Sequence, residues 1–379
     1  MGSHHKRNEG LKPIRRTAAK PKPEKKAKAP QRDESAIQLL QLQQSFLDHL
    51  STLFHPTLAD DHYDKKLQAI KGHFFRREYA KVFNDPASCI IYSVRYLPSR
   101  SFAYAELFSQ RPILDLLYPR PPPRRPSERT KALVLPRKRV VAVGAGVGSE
   151  LCALHLLNQS SRAQLDEDDE DMKAVLDHDM QIDIIDSADY EVFLTDLNVC
   201  LSQQLSQESS SEEIVRTRLQ FNYYRHDILK WSTSTEFAAI LADTTLLTFM
   251  FVFNELFAAS KVETMRLIAA IAQNLTPGSH VLLIESAGEL SQVKLDRKRV
   301  TFDQETRLAD LEGEHEEGEE AMHEQQQKSL MVYKFWDHLP GFEKVVSEDR
   351  RWYRLDPSLK YPLEMENVGY FVRLYRKAA

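Results

Sequence analysis

A chain of 379 residues, 42% of them apolar, can bury the core of one large domain and a smaller one. It has no apolar run long enough for a membrane helix and no signal-peptide pattern, so we expect no membrane partner. Its three cysteines, Cys89, Cys152 and Cys200, lack metal-ligand spacing, so we expect reduced core thiols and no metal site.

Residues 1–34 form a basic amino-terminal tail, although the formal net charge of the chain is −4. Lysines and arginines dominate residues 1–30, together with prolines and few large apolar groups. Such a segment buries too little apolar surface to order itself, and it attracts polyanions. We expect a disordered arm that tethers RNA and directs the chain to the nucleus or nucleolus. An inert solvated tail is the alternative.

Residues 35–118 show helical periodicity and are predicted to form an amino-terminal helical domain. They also concentrate basic side chains among aromatic ones, namely Lys65, Lys66, Lys71, His73, Arg76, Arg77, Arg95, Arg100 and Arg111. Arginine beside tyrosine and phenylalanine suits unpaired RNA, whose bases stack and whose phosphates pair with cations. A solvated face over a helical cap is the alternative. The Pro- and Arg-rich residues 119–136 are predicted to be a linker.

Residues 137–379 begin with a strand, a glycine turn and a helix. The apolar residues 139–143 lead into Gly144, Ala145, Gly146 and Gly148, and a helical pattern starts at Glu150. Glycines there allow a sharp turn and close approach of a ligand, and the N–H groups of the next helix offer donors to it. The turn predicts a nucleotide-like cofactor. A dinucleotide fingerprint requires a third small residue in this turn, and Ser149 stands at that position, which leaves a dinucleotide such as NAD as an alternative.

Two acids are predicted to follow strands of this sheet. We expect a second strand over Tyr190–Asp196, with Asp196 binding a ribose diol beyond its carboxyl end; Asp196 could instead cap the next helix. A third strand over Arg218–Arg225 is followed by Asp227, either an adenine contact or part of a polar turn. Acidic inserts at 166–171 and 312–320 are predicted to be solvated loops, the first of them disordered.

A long apolar run, Thr245–Phe253, predicts a fourth strand buried on both faces, followed by Asn254 and Glu255 at the crevice. A helix over Lys261–Asn274 and a fifth strand over Ser279–Ser286 come next. The closing segments 341–355 and 370–375 predict a final hairpin.

This order of elements is that of an α/β class I methyltransferase: a Rossmann-like seven-stranded sheet, here preceded by a helical domain. The segments 94–100, 144–150 and 253–257 resemble a fungal family of methyltransferases that includes the 25S ribosomal RNA uridine-N3 methyltransferase. The resemblance implies S-adenosylmethionine as cofactor, and ribosomal RNA or a pre-ribosomal particle as partner of a nucleolar monomer. One departure is Ala142, which stands where many methyltransferases place an acid that contacts the methionine moiety.

Uracil N3 carries a proton at neutral pH and is buried in base pairs, so the base must be unpaired and deprotonated. Asn254 could bind the cofactor or hydrogen-bond a uracil carbonyl and stabilise negative charge on the ring. Glu255 could accept the N3 proton or bind the cofactor's amino group, or it could be an acid favoured by the helix dipole. Two further functions stay open: a catalytically silent ribosome-assembly factor that binds RNA, and a nucleotide-dependent oxidoreductase.

Overall fold

The computed structural model describes residues 34–121, 135, 137–165, 169–208, 219–287, 292–295 and 328–379. The helices before the sheet are α1 (Glu34–Leu53), α2 (His55–Leu58), α3 (Tyr63–Phe75), α4 (Tyr79–Phe83), α5 (Pro86–Phe108) and α6 (Ile113–Leu117). The elements that follow are β1 (Lys138–Val143), α7 (Ser149–Ala163), α8 (Glu170–Leu176), β2 (Met180–Asp186), α9 (Glu191–Glu208), β3 (Leu219–Arg225), α10 (Ile228–Trp231), α11 (Thr235–Ala242), β4 (Leu246–Met250), α12 (Phe253–Ala259), α13 (Lys261–Asn274), β5 (His280–Glu285), β6 (Gln292–Leu295), β7 (Lys328–Met331), α14 (Lys334–Asp337), β8 (Phe342–Tyr353) and β9 (Val368–Lys377).

The main sheet has seven strands in the order β3-β2-β1-β4-β5-β9-β8. Strands β1 to β5 are parallel, and β9 is antiparallel to both β5 and β8. The predicted class I methyltransferase fold is confirmed. Strand order reverses at β1, which lies between β2 and β4, and open α/β sheets bind ligands outside the carboxyl ends of the strands at such a point.

The first, third, fourth and fifth predicted strands and the closing hairpin are confirmed, and helix α13 has the predicted bounds. The fourth strand is shorter than predicted, because β4 ends at Met250 and helix α12 starts at Phe253. Asn254 and Glu255 therefore lie in the first turn of a helix.

The predicted second strand over Tyr190–Asp196 is wrong. The second strand is β2, and residues 191–208 form helix α9. The most deeply buried residues of that region are Tyr190, Leu194, Leu197 and Leu201, and Cys200 is buried beside them. Their spacing of three and four residues is that of one helix face, whereas a strand needs alternation.

The amino-terminal helices pack on the same hydrophobic core as the sheet. One cluster of buried residues joins Phe46 of α1 and Leu97 of α5 to Leu154 of α7 and Ile184 of β2. The boundary between residues 35–118 and 137–379 stays a prediction. Within the described ranges, none of the helices has the length and apolarity needed to cross a membrane.

Several predictions fall on residues that the structure does not describe, or describes in part. The basic tail, most of the linker and the acidic segment 312–320 lie outside the described residues. The acidic segment 166–171 is described from Asp169 onward. Asp169 caps α8 by accepting a hydrogen bond from the Met172 N–H, so residues 169–171 begin a helix rather than a disordered loop.

Candidate active site

A cavity of about 510 Å³ lies beyond the carboxyl ends of β1, β2, β3 and β4. One wall consists of the loops that leave these four strands. The opposite wall comes from α4 and α5, through residues such as Tyr79, Tyr92 and Tyr104. The amino-terminal helices therefore complete a cavity at the position where this fold binds ligands.

The glycines of the turn differ in their surroundings: Gly144 and Gly148 are closely packed, whereas Gly146 has free space beside it. All three glycines have a positive φ, which side chains adopt only with strain. A Cβ on Gly144 would lie 2.2 Å from Val252, and one on Gly148 would lie 2.7 Å from Leu194. A Cβ on Gly146 would meet nothing closer than 3.7 Å. Gly144, Ala145 and Gly146 line the cavity, whereas Gly148 lies outside the lining and lets α7 approach α9.

Asp186, rather than Asp196, occupies the carboxyl end of the second strand. Its two carboxylate oxygens accept hydrogen bonds from the N–H groups of Gly146 and Ala188, each at 2.9 Å. Asp196 lies on α9 and lines a separate depression together with Asp48 and His49 of α1. The basis for a ribose ligand at Asp196 was the misplaced strand.

Asp227 lies in the cavity lining after β3, as predicted. It caps α10 by accepting a hydrogen bond from the Leu229 N–H at 3.2 Å, and its carboxylate is 3.0 Å from the Lys230 ammonium. The preceding His226 stacks on Trp231 with ring centroids 4.2 Å apart. Asp227 therefore has a structural task as well as a position at the cavity.

Asn254 and Glu255 separate at the start of α12. Glu255 lines the cavity, but Asn254 does not. The Asn254 side-chain amide donates to Glu285 Oε2 at 2.7 Å, and its backbone N–H donates to Glu285 Oε1 at 3.3 Å. Asn254 therefore holds Glu285, which ends β5, and its predicted contact with the cofactor or the uracil stays a prediction.

Besides Asp186, sequence reasoning missed a second acid of the cavity lining, Glu150 in the first turn of α7. Glu150 is only 2% exposed, lines the cavity, and its Oε1 has no hydrogen-bond partner in the described part of the chain. A buried carboxylate oxygen without a partner carries a desolvation cost that a ligand can offset. Its position two residues after the last glycine was the available signal.

Arg100 of α5 supplies a cation to the same cavity. It donates a hydrogen bond to the Tyr92 hydroxyl, and its guanidinium lies 5.3 Å from the centre of the Tyr92 ring and 4.9 Å from that of Phe251. Stacking between aromatic rings fixes the orientation of a guanidinium. The sequence placed Arg100 among candidate RNA contacts, and nothing in the local pattern indicated that α5 would carry it into the cavity.

The cavity is rich in carboxyl groups that burial makes reluctant to ionise. Burial raises the pKa of two lining residues, Asp186 to about 6 and Glu150 to about 8, and it raises the pKa of Glu285, which is bonded to Asn254 outside the lining, to about 7. Burial and the neighbouring Glu285 and Asp186 raise the pKa of Glu255 well above its ordinary value. The charge of Arg100 opposes the rise at Glu150, Glu255 and Glu285. Such a site favours a ligand that brings positive charge.

Comparison with known proteins agrees with this geometry. A family profile described as "Putative SAM-dependent methyltransferase" matches residues 50–376, where SAM is S-adenosylmethionine. The chain is 28% identical over 323 residues to the 25S rRNA (uridine(2843)-N(3))-methyltransferase of Saccharomyces cerevisiae. That match covers 83% of this chain and 78% of the yeast protein.

Solved structures give weaker likenesses. The N-methyltransferase NodS of Bradyrhizobium japonicum, in complex with S-adenosyl-L-homocysteine, is 10% identical with a TM-score of 0.29, covering 74% of this chain and 100% of NodS. An O-methyltransferase family protein of Burkholderia thailandensis is 9% identical with a TM-score of 0.34, covering 84% of this chain and 71% of that protein. These scores are low, so membership of a family rests on the sequence match. Because the family profile spans most of the chain, including every residue of the cavity lining, this chain belongs to that family of SAM-dependent methyltransferases.

Proposed function

We propose that this chain transfers a methyl group from SAM to N3 of a uridine in large-subunit ribosomal RNA. The yeast relative supports the RNA and the atom, and the cavity at the switch point of the sheet supports the cofactor. The observation that carries the proposal is the meeting of an open glycine, buried acids and one fixed arginine in that cavity.

The adenosine half of the cofactor fits the end of the cavity at β1, β2 and β3. Asp186 is held by two backbone N–H groups, so its remaining acceptor capacity can bind a ribose diol. Gly146 leaves room for close approach, and Asp227 can accept a hydrogen bond from the adenine amino group. Asp186 takes over the role expected of Asp196.

The methionine half carries an ammonium and a carboxylate, and the cavity offers a partner for each. The unpartnered Oε1 of Glu150 is suited to accept from the ammonium. Arg100 is suited to pair with the carboxylate, since a guanidinium presents a planar pair of donors. Glu150 thus takes the role of the acid that many methyltransferases carry at the position of Ala142.

Glu255 is proposed to accept the N3 proton. In this proposal Glu150 binds the amino group of the cofactor, so the carboxyl of Glu255 is available to contact the substrate. When bound, SAM supplies an electrophilic methyl group on a positively charged sulfur. Glu255 needs to be ionised to act as a base, and a positive charge nearby favours ionisation. Asn254 acts as a positioning residue by holding Glu285 beside Glu255.

The predicted tethering of RNA by the basic tail, and a nucleolar or nuclear location, complete the proposal. The tail brings positive charge to a chain whose sheet domain carries acidic segments. We expect the chain to act as a monomer on ribosomal RNA or on a pre-ribosomal particle.

Mass spectrometry of ribosomal RNA nucleosides from cells that lack this chain tests the function. We expect loss of N3-methyluridine, restored by the wild-type chain but not by Gly146→Asp, whose added carboxylate would occupy the ligand's space. Normal N3-methyluridine with defective ribosome assembly would instead indicate the silent RNA-binding factor. Calorimetry with SAM and with NAD separates both from an oxidoreductase.

Single-turnover methylation of an RNA fragment tests the role of Glu255. Glu255→Gln should lower the rate by about a hundredfold or more, the usual contribution of a general base. The remaining rate should climb as pH rises toward the ionisation of the uracil itself, because solvent then removes the proton. Glu263→Gln, on the exposed face of α13, is the matched control. A normal rate in Glu255→Gln would remove Glu255 from the chemistry.

A further inference from the structure

Two adjacent phenylalanines at the end of α3 point in opposite directions. The Phe74 ring packs against Tyr79, Phe83 and Tyr92, with centroids 5.4 to 6.1 Å apart. Phe75 is 88% exposed, more than any other large apolar side chain in the part of the chain that the structure describes. Phe74 therefore accounts for the packing of α3 on α4, and Phe75 takes no part in it.

The turn that follows is ordered, but one residue in it is unfavourable. The Glu78 N–H donates to the His73 carbonyl and the Arg77 N–H donates to the Phe74 carbonyl, each at 2.9 Å. This pair of bonds is the Schellman motif, whose left-handed position is usually glycine. Arg77 occupies that position with a φ of 56°. Arginine is strained at a position where glycine would be relaxed, and such strain marks Arg77 as a candidate functional residue.

The turn carries a net positive charge. Glu78 is surrounded by Lys81 at 2.8 Å, His73 at 2.7 Å and Arg76 at 3.0 Å. Arg77 is exposed and adds a further cation, and Asp85, the other acid nearby in sequence, caps α5. An exposed aromatic ring among cations matches RNA, whose bases stack and whose phosphates are anionic.

This turn leads directly into the cavity wall. Helix α4 begins two residues after Arg77, and its residues Tyr79, Ala80 and Phe83 line the cavity. The inward ring of Phe74 packs on two of these residues and fixes the turn against the wall. A nucleotide bound at the turn would therefore sit next to the nucleotide in the cavity.

We propose that residues 75–77, the Phe75 turn, form a docking site for the unpaired RNA strand that flanks the target uridine. Phe75 stacks on a neighbouring base and Arg77 contacts a backbone phosphate. The site thereby selects RNA whose target region is single-stranded. This inference rests on the proposed function, because it takes RNA to be the substrate.

Binding of two RNA probes tests the Phe75 turn: a hairpin with a uridine-containing loop, and a perfect duplex of the same composition. Phe75→Ala should weaken hairpin binding by roughly fivefold to a hundredfold, the range of base–aromatic stacking. Duplex binding should change little, and Phe75→Trp should bind like wild type. Val262→Ala, which removes an exposed apolar group from α13, is the control.

Arg77→Gly separates a structural from a binding role. Glycine relieves the positive φ, so the midpoint of thermal unfolding should stay the same or rise. Hairpin affinity should nevertheless fall, and the negative slope of log K against log salt should become shallower by about 0.7, for the loss of one phosphate contact to a single strand. Arg266→Ala, which removes an exposed arginine from α13, should leave that slope unchanged.

The outcomes distinguish this inference from the proposed function. Unchanged hairpin affinity in both Phe75→Ala and Arg77→Gly, with the wild-type chain binding and methylating RNA, overturns the docking site alone. Absence of RNA binding by the full-length wild-type chain overturns the proposed substrate and the docking site together. SAM affinity, measured by calorimetry, should be the same in all variants.

Discussion

Strand β2 carries two aspartates, one at its middle and one at its carboxyl end, and the two carboxylates are neutralised in different ways. At the interior of the strand, Asp183 is fully buried and accepts hydrogen bonds from Arg139 at 2.6 Å, Gln181 at 2.6 Å and Asn222 at 2.9 Å. At the carboxyl end, Asp186 accepts from two backbone N–H groups, and burial raises its pKa to about 6.

The difference identifies which carboxylate stabilises the fold and which is available to a ligand. A buried charge must be paired to be tolerated, and Asp183 has its pair within the protein. Within the described residues, the hydrogen-bond partners of Asp186 are backbone N–H groups rather than cationic side chains, and Asp186 lines the cavity. The acids near Arg100 resemble Asp186 rather than Asp183, because Glu150, Glu255 and Glu285 share that one arginine.

Removing the charge of Asp183 should have the largest effect on stability. Asp183→Asn leaves Arg139 largely buried, and loss of one partner of a buried pair lowers the free energy of unfolding by about 3–5 kcal/mol. Urea unfolding at pH 7 measures this loss. Asp243, 3.4 Å from Arg139 but exposed, is the remaining partner. A loss below about 1 kcal/mol would mean that this exposed pair suffices, contrary to the usual weakness of such pairs.

Removing the charge of Asp186 should affect the ligand rather than the fold. Asp186→Asn should weaken SAM binding by roughly tenfold to a hundredfold, as expected for hydrogen bonds to a charged group. Its free energy of unfolding at pH 7 should fall much less than that of Asp183→Asn, because relief of burying the charged form offsets the loss of one of the two backbone hydrogen bonds. Calorimetry measures the affinity, with Asp196→Asn as the matched control. Equal losses in the two variants would contradict the assignment of Asp186.

The comparison also shows how far the sequence reached. Long apolar runs bounded by glycine, proline or polar turns predicted β1, β4, β5 and the closing hairpin, because such runs are typical of strands. β2 was missed because Asp183 interrupts its apolar run. Its neutralisation by Arg139 of a neighbouring strand is a tertiary contact that no local pattern reveals.

The candidate site was also predictable only in part, because some of its residues give local signals and others are brought together by tertiary contacts. The glycine turn and Asp227 are local signals, and both lie at the cavity. In the sequence alone, Glu150 is one acid in the first turn of a predicted helix, and Arg100 is one of several basic residues. Their meeting depends on the packing of α5 against α7, which only the fold reveals.

Without cofactor, the stability of the chain should depend on pH through Glu150. Burial raises the pKa of Glu150 from its ordinary 4.5 to about 8, so between these values the folded chain binds more protons than the unfolded chain. Stability should therefore fall as pH rises from about 5 to about 8, and more gently in Glu150→Gln. Urea unfolding at several pH values measures both slopes.

The control is Glu236→Gln, because Glu236 is the second residue of α11 just as Glu150 is the second residue of α7, so it accounts for the effect of the helix dipole. Added SAM should flatten the wild-type slope, because an ammonium beside Glu150 favours its charged form. Identical slopes in wild type and Glu150→Gln would show that Glu150 titrates in the folded chain as it does in the unfolded chain. A wild-type slope that SAM leaves unchanged would remove Glu150 as the partner of the ammonium.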